Sequence, residues 1–219
     1  MDIGGIDPSL ELEIRQLYRD HLDRAAKIDW SYHEFLPRQV LECAVLDKDP
    51  ELRCRITPEI YVAVETAVLT EVNLPWFTSG LVKTFTGTLE VLQDFVHTWT
   101  SEEDQHSLTL ETYLLLAAHG DPKLRSQHRK QVMRVGWELN LATPFEAIVY
   151  TTIQELATMV FYGNVARAVE PQDPGLARLL HRLAQDESLH YAFYRDVTRA
   201  HLRINPNLVS LVADVMLKF

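Results

Sequence analysis

Cysteine is scarce in this chain of 219 residues, which contains only Cys43 and Cys54. Two cysteines without Cys-x-x-Cys spacing do not indicate a disulfide framework, so we expect ordinary reduced cysteines in a cytoplasmic protein. Long apolar runs are also missing, and the acidic, amphipathic start does not resemble a signal peptide, so no membrane span is expected. The net charge of −10 argues against nonspecific nucleic-acid binding.

Clean strand alternation is a further absence, whereas signals for helix starts are frequent. A capping residue followed by proline recurs at Asp7-Pro8, Thr57-Pro58, Asp121-Pro122, Thr143-Pro144, Asp173-Pro174 and Asn205-Pro206. The cap oxygen accepts from free backbone N–H groups, and proline at the first helical position gives up an N–H that has no partner there. Apolar residues at intervals of three and four follow these caps. The sequence predicts an all-α chain with helices near 8–27, 37–47, 57–80, 83–118, 122–139, 144–169, 174–202 and 206–218.

Two Glu-x-x-His sequences, Glu103 to His106 and Glu187 to His190, each have a partner glutamate upstream. Glu71 precedes the first by 103 − 71 = 32 positions, and Glu155 precedes the second by 187 − 155 = 32. Residues three apart on a helix share a face, so the Glu and His of each sequence can reach one site together. Four carboxylates and two imidazoles in a helical bundle are the ligand set of a dinuclear iron or manganese site.

The neighbours of Glu71 and Glu155 in the sequence are mostly apolar. A carboxylate buried in such surroundings costs several kcal/mol unless a cation or a proton accompanies it. The alternative is that these glutamates are surface charges on amphipathic helices.

Six sequence strings resemble the soluble plant-type acyl-[acyl-carrier-protein] desaturases, which are ferritin-like di-iron enzymes. They occur in the order of that family, and the resemblance extends from Trp30 to Phe219. The strings are Trp30-x4-Phe35-Leu36-Pro37, Thr70-Glu71-x-x-Leu74-Pro75, Trp99-Thr100-x-Glu102-Glu103-x-x-His106, Gln154-Glu155-x-Ala157-Thr158, Gly163-Asn164-x-Ala166-Arg167 and Asp186-Glu187-x-x-His190. The resemblance implies a ferritin-like four-helix bundle core with additional flanking helices, and we expect residues 1–219 to form a single domain.

The resemblance also implies roles for individual residues. Glu71 and His106 would serve one iron, Glu155 and His190 would serve the other, and two carboxylates would bridge the irons. The bridging pair is Glu103 and Glu187.

Three residues outside the ligand set match family positions. Asp186 and Trp30 match a chain of hydrogen bonds to the histidine of the first Glu-x-x-His sequence, although Trp30 is otherwise an ordinary core aromatic. Thr158 matches a threonine on the oxygen-binding side of the cluster, and the alternative for it is an inert hydroxyl bonded back to its own helix. Pro75 cannot donate to the carbonyl of Glu71, so the helix should kink beside that ligand.

The activity implied by the resemblance is O2-dependent desaturation of an acyl chain carried on acyl carrier protein. Two electrons would come from a ferredoxin-type donor, and the protein would be a homodimer. Hydroxylation or another oxidation of the carrier-bound chain is the runner-up, followed by iron storage or a metal-free helical interaction module. Channel candidates are Trp76, Phe77, Gly80, Ile148 and Phe161, which are alternatively plain core.

The densest basic run of the sequence follows the cap at Asp121. Its members are Lys123, Arg125, His128, Arg129, Lys130 and Arg134. Because acyl carrier protein is itself acidic, this acidic chain needs a local basic face to receive it. The run is a candidate for that face, and the alternative is a solvated surface helix.

Overall fold

The computed structural model describes residues 7–37, 56–88, 90–138, 141 and 143–219, and within these ranges the regular structure is helical, as predicted, without strands. Short 3₁₀ turns occur at Tyr32–Glu34 and Pro206–Leu208. The described residues form eight α-helices: α1 Pro8–Ala25, α2 Pro58–Glu71, α3 Leu74–Phe85, α4 Glu90–Leu116, α5 Pro122–Val135, α6 Pro144–Val169, α7 Pro174–Ile204 and α8 Val209–Lys218. The helix predicted near 37–47 and both cysteines lie outside the described residues.

Five of the eight helices begin at the proline that the sequence indicated: α1, α2, α5, α6 and α7. The side chains that accept backbone N–H groups at these starts are those of Asp7, Asp121, Thr143 and Asp173. The prediction of an α-helix from residue 206 is wrong at its start. Pro206 opens a 3₁₀ turn instead, and α8 begins at Val209. Such turns are common at helix ends.

The helix predicted over 57–80 is two helices. The N–H of Asn73 turns to the carbonyl of Thr70 at 3.0 Å, and α3 then begins at Leu74. Pro75 has no N–H for the carbonyl of Glu71, so the continuous hydrogen-bond ladder ends there. The expected kink is thus a full break, placed immediately after a candidate metal ligand.

The next turn lies later in the chain than the sequence predicted. Helix α3 continues to Phe85, and α4 begins at Glu90 rather than near residue 83. Gly87 between them has a φ of +75°, a left-handed conformation that glycine adopts without steric cost. The Thr-Gly-Thr sequence at 86–88 was therefore the true stop signal.

Helices α2, α4, α6 and α7 form the four-helix core, and α6 packs along α7 most extensively. Two apolar clusters fill this core at its two ends. On α4 the last residue of the first cluster is Trp99 and the first residue of the second cluster is Leu110, so a stretch of the helix between them belongs to neither cluster. Glu103 and His106 lie in this stretch. The ionisable residues thus form a layer between two hydrophobic cores, which is an expensive place for a charge without compensation.

None of the helices in the described ranges combines the length and the hydropathy that a bilayer span requires.

Candidate metal centre

The four core helices bring all six predicted ligands together. Helix α2 supplies Glu71 at its last residue, and α6 supplies Glu155 near its middle. Helix α4 supplies Glu103 and His106, and α7 supplies the corresponding Glu and His, as i and i+3 pairs. Glu71 is partly buried, and the other five are at most 4% exposed. The alternative of solvated surface glutamates is therefore wrong for these positions.

The six side chains form two overlapping groups of possible metal ligands. One group contains Glu71 and His106, the other contains Glu155 and His190, and both contain Glu103 and Glu187. Within each group one ligand atom from every residue lies within 4.8 Å of the others. The two shared carboxylates are the pair that the resemblance names as bridges, and this geometry can accommodate two ions side by side.

The imidazole atoms that face the carboxylates have no hydrogen-bond partner among the described residues. Nδ1 of His106 lies 2.9 Å from Glu103, and Nδ1 of His190 lies 2.8 Å from the same carboxylate, but neither contact has hydrogen-bond geometry. Oε1 of Glu187 is likewise buried and unpaired. Buried polar atoms are normally satisfied, so this convergent set of unpaired nitrogen and oxygen atoms fits a bound cation.

The site holds more buried carboxylate than its histidines can neutralise. Burial, followed by the charges of Glu103 and Glu187, raises the pKa of Glu71 to about 8. Burial also raises the pKa of Glu155, against the effect of its contact with His190. Added positive charge would therefore favour the ionised form of both glutamates. Divalent cations among these oxygens would supply it.

The His106 arm is a chain of hydrogen bonds behind the first histidine, and it contains the two residues that the resemblance predicted. Oδ2 of Asp186 lies 3.3 Å from Nε2 of His106 and accepts from the Trp30 indole N–H at 2.7 Å. The other oxygen of Asp186 accepts from Arg182. An ionised carboxylate can only accept, so this contact favours a proton on Nε2 of His106 and leaves Nδ1 as the nitrogen that could bind a cation.

The His190 arm is the equivalent chain of hydrogen bonds behind the second histidine, and it was not predicted from the sequence. Nε2 of His190 lies 2.9 Å from Oε2 of Glu102, and Nε2 of His21 lies 2.9 Å from the same oxygen. Burial opposes ionisation, but hydrogen bonds from His190 and His21 lower the pKa of Glu102 to about 2. One signal was available: Glu102 stands directly before a Glu-x-x-His sequence, as Asp186 does.

Two further contacts to the outer carboxylates were not foreseen. The Tyr162 hydroxyl donates to Glu71 at 2.5 Å, and the Trp99 indole N–H donates to Glu155 at 3.2 Å. Each carboxylate that belongs to one group only is thereby held by an aromatic side chain from another helix. Sequence spacing carries no signal for such contacts, because the partners are 91 and 56 positions apart.

A cavity of about 480 Å³ opens on the carboxylate side of the centre. All four carboxylates line it, and the two candidate ligand histidines do not. Its other lining residues are Thr66, Leu69, Thr70, Asn73, Leu74, Phe77, Trp99, Val132, Trp137, Tyr150, Gln154 and Thr158. The carboxylates, rather than the histidines, therefore face this space.

Most of the predicted channel residues lie elsewhere. Of the five, Phe77 lines the cavity, while Trp76, Gly80, Ile148 and Phe161 do not. Ile148 is fully buried in one of the apolar clusters, and the exposed Trp76 donates its indole N–H to the carbonyl of Met133. For Ile148 the plain-core alternative is therefore the observed one.

Thr158 lines the cavity beside Glu155, but its hydroxyl already has a partner. It donates to the carbonyl of Gln154 one turn earlier at 3.0 Å, which is the bond that the inert alternative expects. A hydroxyl that donates to its own helix can still accept from a group in the cavity.

The basic run forms α5, but its members have different environments. Arg125 is 2% exposed and donates to the carbonyl of His119, so its inclusion in a docking face is wrong. Arg129 pairs with Glu111 and remains exposed. The residues of the run that are exposed are Lys123, Arg129, Lys130 and Arg134.

Comparison with known proteins gives consistent results. The fatty acid desaturase family model matches residues 6–219. Stearoyl-[acyl-carrier-protein] 9-desaturase 6, chloroplastic, of Arabidopsis thaliana is 33% identical over 202 residues, covering 86% of this chain and 52% of that protein. The seed-specific, chloroplastic stearoyl-[acyl-carrier-protein] 9-desaturase of Brassica napus is 29% identical over 227 residues, covering 96% and 55%. The chain spans about half the length of these curated relatives.

The X-ray structure of DesA2 from Mycobacterium tuberculosis H37Rv matches with a TM-score of 0.66 and 21% sequence identity. The match covers 94% of this chain and 76% of DesA2, and it confirms the ferritin-like helical fold. Together with the family model, which matches almost the entire sequence, these similarities show that the chain belongs to the fatty acid desaturase family that includes the acyl-[acyl-carrier-protein] desaturases.

Proposed function

We propose that the chain binds two iron ions and introduces a double bond into an acyl chain carried on acyl carrier protein. The observation that carries this proposal is the pair of ligand groups that share Glu103 and Glu187 and border a cavity with many apolar lining residues. Iron bound there would supply O2 activation and accept electrons from an external donor.

The proposed ligand roles follow the two groups. Glu71 and His106 serve one ion, Glu155 and His190 serve the other, and the shared carboxylates bridge them. Carboxylate-rich ligation suits iron that changes oxidation state, because hard anionic oxygens stabilise the more highly charged ion. Asp186 and Glu102 fix the orientation of the two imidazoles from behind.

The cavity is the proposed site of the acyl chain. Leu69, Leu74, Phe77, Val132 and Trp137 give it an apolar lining, and burial of each CH₂ group contributes about 0.8 kcal/mol to binding. Because the carboxylates line this space and the histidines do not, the chain would lie on the carboxylate side of the ions. The hydrogen-bonded histidine arms are then shielded from the substrate.

The exposed basic face of α5 is the proposed docking surface for acyl carrier protein. Lys123, Arg129, Lys130 and Arg134 are exposed on this helix, and Val132 of the same helix lines the cavity. A carrier bound there would place its acyl chain close to the cavity, and its acidic surface would meet positive charge.

We also propose a ferredoxin-type electron donor and a homodimer. Exposed apolar side chains of α8, including Val209, Met216 and Leu217, support an interface between two copies. Light scattering at micromolar concentration tests the dimer, and a strictly monomeric species contradicts it. A cytoplasmic location stays a prediction.

The decisive test of the activity is single-turnover chemistry on defined substrates. The iron-loaded protein is reduced anaerobically, mixed with acyl carrier proteins that bear chains of different lengths, and exposed to O2. Mass analysis of the chain then shows the reaction. Loss of two hydrogen atoms supports desaturation, gain of one oxygen atom supports the hydroxylation alternative, and an unchanged chain with every substrate contradicts both.

A further inference from the structure

The two histidine arms share a layout that the duplicated sequence does not reveal by itself. Asp186 and Glu102 each stand one position before a Glu-x-x-His sequence, and each bonds to the histidine of the other sequence. The two arms therefore cross between α4 and α7. In both arms one carboxylate oxygen contacts two ring nitrogens, one from a proposed ligand and one from another aromatic ring.

His21 occupies in the His190 arm the place that Trp30 occupies in the His106 arm. Its Nε2 lies 2.9 Å from Oε2 of Glu102, the oxygen that also bonds His190, and 3.2 Å from Oε1. One imidazole N–H is thus shared between both oxygens of this carboxylate. Such a contact fixes the plane of the carboxylate as well as its distance.

The surroundings of His21 hold its ring in place. The residue is 3% exposed, and its ring lies edge-on to Phe95 at 5.0 Å and to Phe193 at 6.1 Å between centroids. It also stacks on the His190 ring at 5.9 Å. The side chain of Glu102 is 24% exposed, so without His21 this carboxylate would be more open to water and free to rotate.

We propose that His21 is a positioning residue for the second metal site: by holding both oxygens of Glu102, it fixes the orientation of the His190 imidazole. This inference rests on the metal binding proposed above. Partners of ligand histidines commonly change metal affinity by about ten- to hundredfold when they are lost. The contrasting view is a core histidine whose hydrogen bond contributes only to folding, which would change stability without changing metal affinity.

Cobalt titration of the metal-free full chain distinguishes these views, with visible absorption and bound metal as readouts. His21→Phe keeps a ring against Phe95 and Phe193 but removes the N–H. We expect one of two sites to weaken by about ten- to hundredfold while the other is unchanged. His21→Gln, which restores an N–H donor, should recover most of the affinity. A two-site isotherm like that of wild type in His21→Phe overturns the proposal.

Two controls separate positioning from general destabilisation. Ile14→Val thins the packing of α1 at a fully buried residue outside both arms, so it should lower the unfolding temperature and leave both affinities unchanged. Equal weakening by Ile14→Val and His21→Phe overturns the positioning role. Trp30→Phe should weaken the other site, so the double variant His21→Phe, Trp30→Phe should have two weak sites. If each single variant weakens one site, one tight site remaining in the double variant overturns the assignment of His21 to the His190 site.

The same titration separates this inference from the proposal on which it rests. Wild type that binds no cobalt contradicts the metal centre itself. If wild type binds two ions and His21→Phe binds them equally well, only the role of His21 is contradicted.

Discussion

The two halves of the centre have the same spacing in sequence but different surroundings in the fold. Glu71 of the first half is the last residue of α2, which ends shortly before Pro75, and its side chain is partly buried. Glu155 of the second half lies within the unbroken α6 and is 2% exposed. Spacing therefore brings both glutamates to the centre, whereas the backbone that carries them differs. Glu71 lies at the end of a helix, and Glu155 lies within a continuous one.

Different aromatic residues hold these two carboxylates. The hydroxyl of Tyr162, at the tip of its ring, holds Glu71, and this ring is fully buried in one of the apolar clusters. Trp99 holds Glu155 through the indole N–H of a ring that also packs against Phe77 at 5.5 Å. Both halves are thus anchored in the apolar core, the first by a hydroxyl group and the second by a ring nitrogen. The following predictions test this difference, in order of decreasing effect.

Among single substitutions, the largest effect is expected when either outer carboxylate is removed. Glu71→Ala and Glu155→Ala should each lower the bound iron from two ions per chain to one, because each residue belongs to only one of the two groups. Elemental analysis after anaerobic iron loading measures this. Glu111→Ala is the matched control, since Glu111 lies on α4 and pairs with Arg129 outside the centre. Two ions retained in either outer variant would show that the removed carboxylate is not a required ligand.

The aromatic partners should differ in their contribution to stability. Tyr162→Phe removes one hydrogen bond and should lower the free energy of unfolding of the metal-free protein by about 1 to 2 kcal/mol. Trp99→Phe also leaves a space in the core, so its cost should be larger, about 2 to 4 kcal/mol. Urea denaturation at neutral pH measures both. A greater cost for Tyr162→Phe would reverse the comparison between the halves.

Asp173 provides a comparison outside both halves, because the protein's own groups satisfy it. It accepts from Tyr113 at 2.7 Å, contacts His119 at 3.1 Å and caps α7. Burial opposes ionisation, but these hydrogen bonds, with that of the Leu176 amide, lower the pKa of Asp173 from 3.8 to about 2.

A depressed acid pKa stabilises the fold above the ordinary pKa and ceases to do so as the pH falls through the folded value. After allowance for partial solvent exposure, the contribution is about 1 kcal/mol. The difference in unfolding free energy between wild type and Asp173→Asn should therefore shrink between pH 3.8 and about 2. It should not depend on metal. A difference that stays constant across this range would contradict the ionised role.

The smallest structural effect is expected at Thr158. Thr158→Val keeps the shape of the side chain and should leave the iron content near normal. Because the hydroxyl would help deliver protons, its loss should slow product formation. More reducing equivalents should also be lost for each product formed. Thr151→Val is the matched control, since Thr151 donates to the Ala147 carbonyl on the same helix and does not line the cavity. Equal turnover and coupling in wild type and Thr158→Val would decide for the inert hydroxyl.

Local signals in the sequence anticipated the helix starts and the meeting of the ligands. Caps such as Asp173 act within a few residues, and the i, i+3 spacing of Glu103 and His106 fixes a shared face within one helix. The repeated interval of 32 positions relates Glu71 and Glu155 to their respective Glu-x-x-His sequences, with which they share a ligand group. The contact of Trp30 with Asp186 became predictable only through the family resemblance, since the two are 156 positions apart.

Features that depend on packing between distant segments were missed. His21 and Glu102 are 81 positions apart, and a lone histidine on a helix face gives no indication of its partner. The position of Arg125 in a basic run predicts a surface charge, but its side chain is buried and donates to the carbonyl of His119. The sequence predicted only a kink after Glu71, because a proline such as Pro75 by itself predicts no more than that. In the structure a turn at Asn73 separates two helices.

The iron content of the purified chain tests the central claim most directly. If Glu103 and Glu187 bridge two ions, wild type should bind two irons per chain, and Glu103→Ala, Glu187→Ala should bind almost none, because this double variant removes a carboxylate pair common to both groups. Circular dichroism of the metal-free variant confirms that it is folded. Equal iron uptake by wild type and the folded double variant would contradict the dinuclear centre.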